Sequence, residues 1–321
     1  MKLLSCLRTA LCLLGLLAMP AAAAYPEKPI NMIIAFTAGG SSDVQARIMQ
    51  KYWNKYAPQP WVFVYKPGAG GIIGFTEIAK ARPDGYTIGM ITFELATYKP
   101  SDMSDYTYEN YDAICRINTD AAAVTVNAKW AADNGITDLA TFVDYCKAHP
   151  GEVKMGGSSA GSVWHIAGGY LMNAADIDIK MITYADGAAG AVKAAAQQEI
   201  EGVTVSLAEA RSFIESGDLI CLGVMDTERN ATFSDIPTCQ EQGFDCVYAT
   251  QRGLAFPKGV DEGIRAKMAE ACAAAIADPD FVAQMASFGQ AISYMDAEEY
   301  TAYLAQAAID VPPAMEAVDL L

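Results

Sequence analysis

Histidine is scarce in this chain: His149 and His165 are the two among 321 residues. Two imidazoles argue against a metal centre, and no Cys-x-x-Cys pair offers thiolates instead. Basic charge is also short. The 22 Lys and Arg stand against 38 Asp and Glu, for a formal net charge of −16. Little is left to neutralise a phosphate backbone, which argues against nucleic acid as a partner. An anionic small ligand is not excluded, because a pocket can carry a local field of the other sign. There is no Gly-Lys-Ser/Thr phosphate loop, no internal repeat and no low-complexity linker. Beyond the first 24 residues the longest apolar stretches, such as Ala269 to Ala277, are short and alanine-rich and read as buried elements.

The first 24 residues read as a cleaved export signal. Lys2 and Arg8 give a basic start, Leu11 to Leu17 an apolar stretch, and Ala22-Ala23-Ala24 a small-residue cleavage site. Cys6 and Cys12 lie too early for a lipoprotein anchor. The mature chain is expected to begin at Tyr25 in the periplasm. Residues 25–321 then fit two domains by length. Six cysteines remain, Cys115, Cys146, Cys221, Cys239, Cys246 and Cys272. Spacing favours a bridge only between Cys239 and Cys246, and buried free thiols are the alternative.

Strand and helix patterns alternate along the chain. Ile30 to Phe36 is a near-continuous apolar run, as in a strand buried on both faces. A helix follows from Ser41 or Ser42 to Tyr56, then a strand at Trp61 to Tyr65, a helix at Gly71 to Ala81 and a strand at Tyr86 to Ile91. This order implies a mostly parallel sheet flanked by helices. The pattern resumes after Asn110, with Thr137 capping a helix that runs to His149 and another helix from about Ser162 to Ala174. With no linker between halves, a middle lobe of 122–249 inserted into a first lobe of 25–121 and 250–321 needs two crossing segments. These fall near Thr119 to Thr125 and Tyr248 to Leu254, the geometry of a hinge.

Three glycine-rich turns lie where a strand ends and a helix begins: Phe36 to Asp43, Lys66 to Gly71 and Gly156 to Ser162. Ligands of open α/β sheets bind at such strand ends. Free N–H groups at a helix start, with hydroxyls beside them, hold an anion without Lys or Arg. Gly157-Ser158-Ser159-Ala160-Gly161 also matches a hydrolase nucleophile elbow. However, His149 precedes it, and His165 follows with no intervening acid, so the triad order is absent. Gly68 to Gly74 fails as a dinucleotide fingerprint, since Ile73 stands where the third glycine belongs. Neither enzyme chemistry nor a cofactor is expected.

The motifs together resemble the substrate-binding proteins of tripartite tricarboxylate transporters, the Bug family of extracytoplasmic solute receptors. The markers include Tyr25-Pro26-x-Lys28-Pro29-Ile30, Ala38-Gly39-Gly40-Ser41-x-Asp43, Pro67-Gly68-Ala69-Gly70-Gly71-x-x-Gly74 and Pro83-Asp84-Gly85-Tyr86-Thr87. Gly161-Ser162-x-x-His165, Tyr184, Ile236-Pro237-Thr238 and Gly253-Leu254-x-x-Pro257 continue the series. The resemblance covers essentially all of the mature chain. It implies a two-lobed periplasmic-binding-protein clamshell. It also implies a carboxylate held by the first glycine turn and the serine turn, and delivery to a permease of two membrane subunits. Ala38, Tyr65-Lys66, Ala185-Asp186 and Gln198 to Glu201 depart from the family pattern. These departures bear on the ligand and not on the fold.

The expected site therefore comprises Phe36, Ala38, Gly39, Gly40, Ser41 and Asp43 from the first turn. Ser158, Ser159, Gly161, Ser162 and His165 face it from the other lobe, with Tyr184 and Asp186 at one side. For His165 a backbone-bonded, helix-buried imidazole is the competing reading, and Trp164 reads as core. Asp186 and Glu94 both follow strand ends. If they face the cleft, they favour a ligand with one carboxylate and an amine or hydroxyl over citrate-like polyanions. A monomer is expected. The rival role is a periplasmic receptor that presents the ligand to a membrane sensor kinase.

Overall fold

The structure, a computed structural model, describes residues 25–36, 38, 41–184, 187–287, 290 and 292–321, with Ser41 by its backbone alone. The described residues run β1 (Ile30–Ile34), α1 (Ser41–Tyr56), β2 (Trp61–Tyr65), α2 (Ile72–Lys80), β3 (Thr87–Thr92), β4 (Tyr111–Ala121) and β5 (Ala123–Asn127). Next come α3 (Ala128–Asp133), α4 (Leu139–Ala148), β6 (Lys154–Gly156), α5 (Val163–Ala175), β7 (Lys180–Ile182), α6 (Ala188–Ala196) and β8 (Gly202–Val203). The chain closes with α7 (Leu207–Ser216), β9 (Leu219–Val224), β10 (Ala249–Pro257), α8 (Glu262–Ile276), α9 (Pro279–Ser287), β11 (Ile292–Met295) and α10 (Ala297–Glu316).

These strands form two sheets, ordered β11-β4-β10-β3-β1-β2 and β7-β6-β8-β5-β9. The fold is the expected α/β arrangement of two helix-flanked sheets, each mixed, with most of its strands running in one direction. In the first, β1 pairs in parallel with β2 and β3, while β10 runs antiparallel to β3 and β4. In the second, β6 pairs in parallel with β7 and β8, while β5 runs antiparallel to β8 and β9. The physical reason lies in the crossings. β4 leaves the first sheet and β10 returns to it, so the two must run in opposite directions when they lie side by side. They pass between the sheets at Ala121 to Ala123 and at Tyr248 to Ala249. There Ala122 N–H donates to the Tyr248 carbonyl at 3.0 Å, and Ala249 pairs with Ala121.

Apolar periodicity explains the layers. The first sheet packs one face on α1, α8 and α9 through Trp53, Trp61, Phe256 and Phe281. Its other face packs on α2 and the start of α10 through Phe75, Ile78, Tyr300 and Leu304. Burying one such aromatic side chain contributes roughly 2–3 kcal/mol. The second sheet has its own core around Val126, Phe142, Leu171 and Val203. The far end of α10 joins that second core, because Val311, Ala314 and Met315 are buried in it. Gly169 of α5 makes this docking close: a Cβ there would lie 2.0 Å from the Ala314 carbonyl oxygen.

One helix start differs from expectation. Asp138, not Thr137, caps α4: its carboxylate accepts from Thr141 N–H at 2.8 Å, and the Thr141 hydroxyl accepts from Asp138 N–H. A carboxylate at this end is favoured by the helix dipole as well as by the cap geometry. The six cysteines among the described residues are free thiols. Cys239 nevertheless lies in hydrogen-bond contact with Cys246, and Cys115 with Cys272. Among the described residues no helix is long and apolar enough to cross a membrane.

Candidate functional site

Where β3, β4 and β10 approach the crossing, their polar side chains gather on one face. Thr250 and Arg252 are two apart on β10 and so point the same way. Arg252 pairs with Thr92 of β3, and Thr250 pairs with Asp120 of β4. This face forms one wall of a cleft of about 640 Å³. The first sheet contributes Phe36, Ser42, Thr92, Glu94 and Asp120, besides Thr250 and Arg252. The second contributes Val163 and Trp164 from the start of α5, Gly187 before α6, and Ala208 with Glu209 from α7. Gly187 holds φ +80°, a conformation that lets the chain turn sharply into α6 at the cleft edge.

Three acids and one cation set the electrostatics of the cleft. Burial pushes the Glu94 carboxyl above the usual carboxylate range, although the Thr92 hydroxyl donates to it. Burial pushes Asp120 up to about 6. Glu209 is pushed up to about 7, first by burial of its carboxyl and then by the negative charge of Asp120. Taken as a whole, the Glu209 residue is exposed. Arg252 pulls all three acids back towards ionisation. Its own Nη1 is buried without a hydrogen-bond partner among the described residues. A buried guanidinium N–H left unpaired costs free energy that an incoming carboxylate recovers. Among the described residues no three acids, histidines or cysteines converge tightly enough to hold a metal ion.

The expected site residues separate into groups. Phe36 lines the cleft and packs edge-on against Phe75. Ala38 is exposed on the turn before α1. Gly39, Gly40, the Ser41 side chain and Asp186 lie outside the described residues. Asp43 does not line the cleft: it is buried at the first turn of α1 and accepts from Arg47 at 2.8 Å and the Tyr65 hydroxyl at 2.7 Å. Ser158, Ser159, Gly161 and Ser162 form the turn that leads into α5, and the residues after them, Val163 and Trp164, are the ones that face the cleft. The Ser162 hydroxyl caps α5 by accepting from His165 N–H, and the Ser158 hydroxyl donates to it. His165 is 6% exposed, and its Nδ1 accepts from Gly161 N–H at 3.1 Å, which places the ring proton on Nε2. Burial lowers its pKa and keeps it neutral. Tyr184 is half-buried against the second core, its N–H bonded to the Ser158 carbonyl. Glu94 faces the cleft.

The residues that sequence reading passed over are Asp120, Glu209, Thr250 and Arg252. Three of them lie in the crossing strands.

With this geometry in hand, the relationships are clear. The sequence pattern of the tripartite tricarboxylate transporter family receptor matches residues 45–319. The chain belongs to that family. A protein of Cupriavidus necator encoded in the gbd 5′ region is 28% identical over 302 residues, covering 91% of this chain and 89% of its own. A TctC solute-binding protein from Polaromonas, solved without ligand, superposes with a TM-score of 0.82 at 29% identity, covering 91% of this chain and 99% of its own. MatC of Rhodopseudomonas palustris, solved with bound malate, shares the fold with a TM-score of 0.69 at 20% identity, covering 92% and 99%. Receptors of this family bind solutes and are not enzymes, and this chain is a solute-binding receptor. The Gly157 to Gly161 turn is thus a helix-capping turn.

Proposed function

We propose that this receptor captures a small organic carboxylate in the cleft between its two sheets and delivers it to a two-subunit permease of the tripartite tricarboxylate type. The observation that carries the reading is Arg252. It is a permanent cation on the cleft wall, and its Nη1 is buried without a hydrogen-bond partner among the described residues. A carboxylate is the planar acceptor that suits a guanidinium. Malate bound to MatC and membership of the receptor family support the ligand class and the permease.

In this reading residues 1–24 direct export to the periplasm and are removed before Tyr25. The lobes are 25–121 with 250–321, and 122–249, and they close about the paired segments Ala121–Ala123 and Tyr248–Ala249. The first glycine turn, Ala38 to Ser41, and the serine turn, Ser158 to Ser162, add backbone N–H groups at their helix starts. Four or five such donors and one guanidinium suffice for micromolar binding, about −8 kcal/mol.

The test is a thermal-shift screen of the purified 25–321 chain against mono-, di- and tricarboxylates and aromatic acids. A ligand of the folded state alone raises the melting temperature by mass action. A carboxylate that does so for the parent and not for Arg252→Gln supports the reading. A panel in which no carboxylate acts, or one in which Arg252→Gln responds as the parent does, refutes it. Co-purification with the two permease subunits, strengthened by that ligand, tests delivery.

A further inference from the structure

Resting on the carboxylate reading, we infer that the ligand also carries an ammonium group, seated between Asp120 and Glu209 while its carboxylate meets Arg252. Four ionisable side chains line the described cleft: Glu94, Asp120, Glu209 and Arg252. Once a ligand carboxylate neutralises Arg252, three carboxyl groups remain with no cation of the protein in the cleft lining to face them. Glu94 has the Thr92 hydroxyl as a donor. Asp120 and Glu209 share the hydroxyl of Ser206, a fully buried residue whose backbone N–H also donates to Glu209, and neither has a cation other than Arg252 in the cleft lining.

The chemistry of the missing partner follows from donor and acceptor counts. Ionised carboxylates only accept hydrogen bonds, and an ammonium only donates, with three N–H to give. A second ligand carboxylate brings acceptors to acceptors and like charge to like charge. Its penalty grows as closure expels water from the cleft. A metal ion is the other cation to weigh, but the acids do not converge on a point. They come from β4 and α7, elements of different sheets, so one ligand group bridging them also ties closure to recognition. The ligand class is therefore a small amino-carboxylate and not a polyanion.

The experiment uses matched probes of equal length on the purified 25–321 chain: butanoate, succinate and 4-aminobutanoate, then hexanoate, adipate and 6-aminohexanoate. Binding is read by calorimetry and thermal shift. The expected result is that, at one length or both, the amino-carboxylate binds at least tenfold more tightly than its dicarboxylate. Glu209→Gln, an exposed position that leaves the circular dichroism unchanged, is expected to cut that preference at least tenfold. A dicarboxylate that binds as well as or better than its amino counterpart overturns the inference. So does an amino preference that Glu209→Gln and Asp120→Asn both leave intact. If only purely anionic acids bind, the inference fails and the carboxylate reading stands. If no carboxylate of either set or of the wider screen binds, both fail.

Discussion

Asp120 of β4 and Glu209 of α7 meet at the hydroxyl of Ser206. That hydroxyl has one hydrogen to donate, so with both acids ionised one of the two contacts lacks a donor. A proton on either acid supplies it, in line with the upward direction of both pKa values.

The ligand-free protein should therefore lose stability as pH rises from about 4 to about 7. In that window the folded state still holds protons on Asp120, pushed up to about 6, and Glu209, pushed up to about 7, whereas the unfolded chain has released them. Glu94 acts in the same direction. Asp138, Asp278 and Glu241 are shifted down, so their stabilisation is lost only on acidification below the usual carboxylate range. Urea unfolding at stepped pH should show the decline, and Asp120→Asn should flatten it by about 1–3 kcal/mol. A stability curve that rises steadily from pH 4 to 7 in the parent would contradict this assignment.

Ser162→Ala and His165→Ala should act first on stability. The former removes the cap of α5, a loss of about 1 kcal/mol. The latter leaves the Gly161 N–H without its acceptor and opens a void beside the second core, for a loss of about 2 kcal/mol or more. Both should lower the melting temperature. His165→Ala should keep ligand affinity within about threefold, since His165 is buried and is not part of the cleft lining. A loss of affinity at Ser162→Ala beyond that range would place its hydroxyl on the ligand.

Gly169→Ala reverses the usual rule for helices. Replacing a mid-helix glycine by alanine ordinarily stabilises by about 1 kcal/mol. Here the added methyl meets the Ala314 carbonyl oxygen, so α10 must shift away from α5. A loss of about 2–3 kcal/mol is expected, read as a lower denaturant midpoint. An unchanged or raised midpoint would mean that the two helices separate at little cost.

Much of the fold was legible from local pattern. The apolar run at Ile30, the strand Trp61–Tyr65 and the capped start of α5 at Ser162 are set by residues close in sequence. The crossing segments were legible too, but their chemistry was not. Asp120, Thr250 and Arg252 sit in strands whose alternation reads as ordinary half-buried sheet. They become a site only when β4, β10 and β3 lie in register and α7 is brought opposite. Asp43 misled for the converse reason. Its place in a glycine turn suggested a ligand, while its carboxylate accepts from Arg47 and the Tyr65 hydroxyl and is not part of the cleft lining. The mixed direction of the sheets was hidden because β-α-β order governs only β1 to β3 and β6 to β8, and the antiparallel pairs are made by strands far apart in the chain.

The last helix has a mechanical consequence. Tyr300 and Leu304 fix the first half of α10 in the core of one sheet, and Val311, Ala314 and Met315 fix its second half in the core of the other. The two sheets are thus joined by two strands and by one helix. In the proposed closure, rotation of one sheet on the other has to flex that helix or slide an anchor. Pro312 and Pro313 lie inside the helix, where each removes a backbone donor and weakens the turn behind it. Both lie inside the second anchor, between Val311 and Ala314, and the donors they remove belong to the turn that joins it to the first. In a receptor that closes as proposed above, that turn is where α10 gives, and a helix flexed there acts as a leaf spring whose recoil favours the open form.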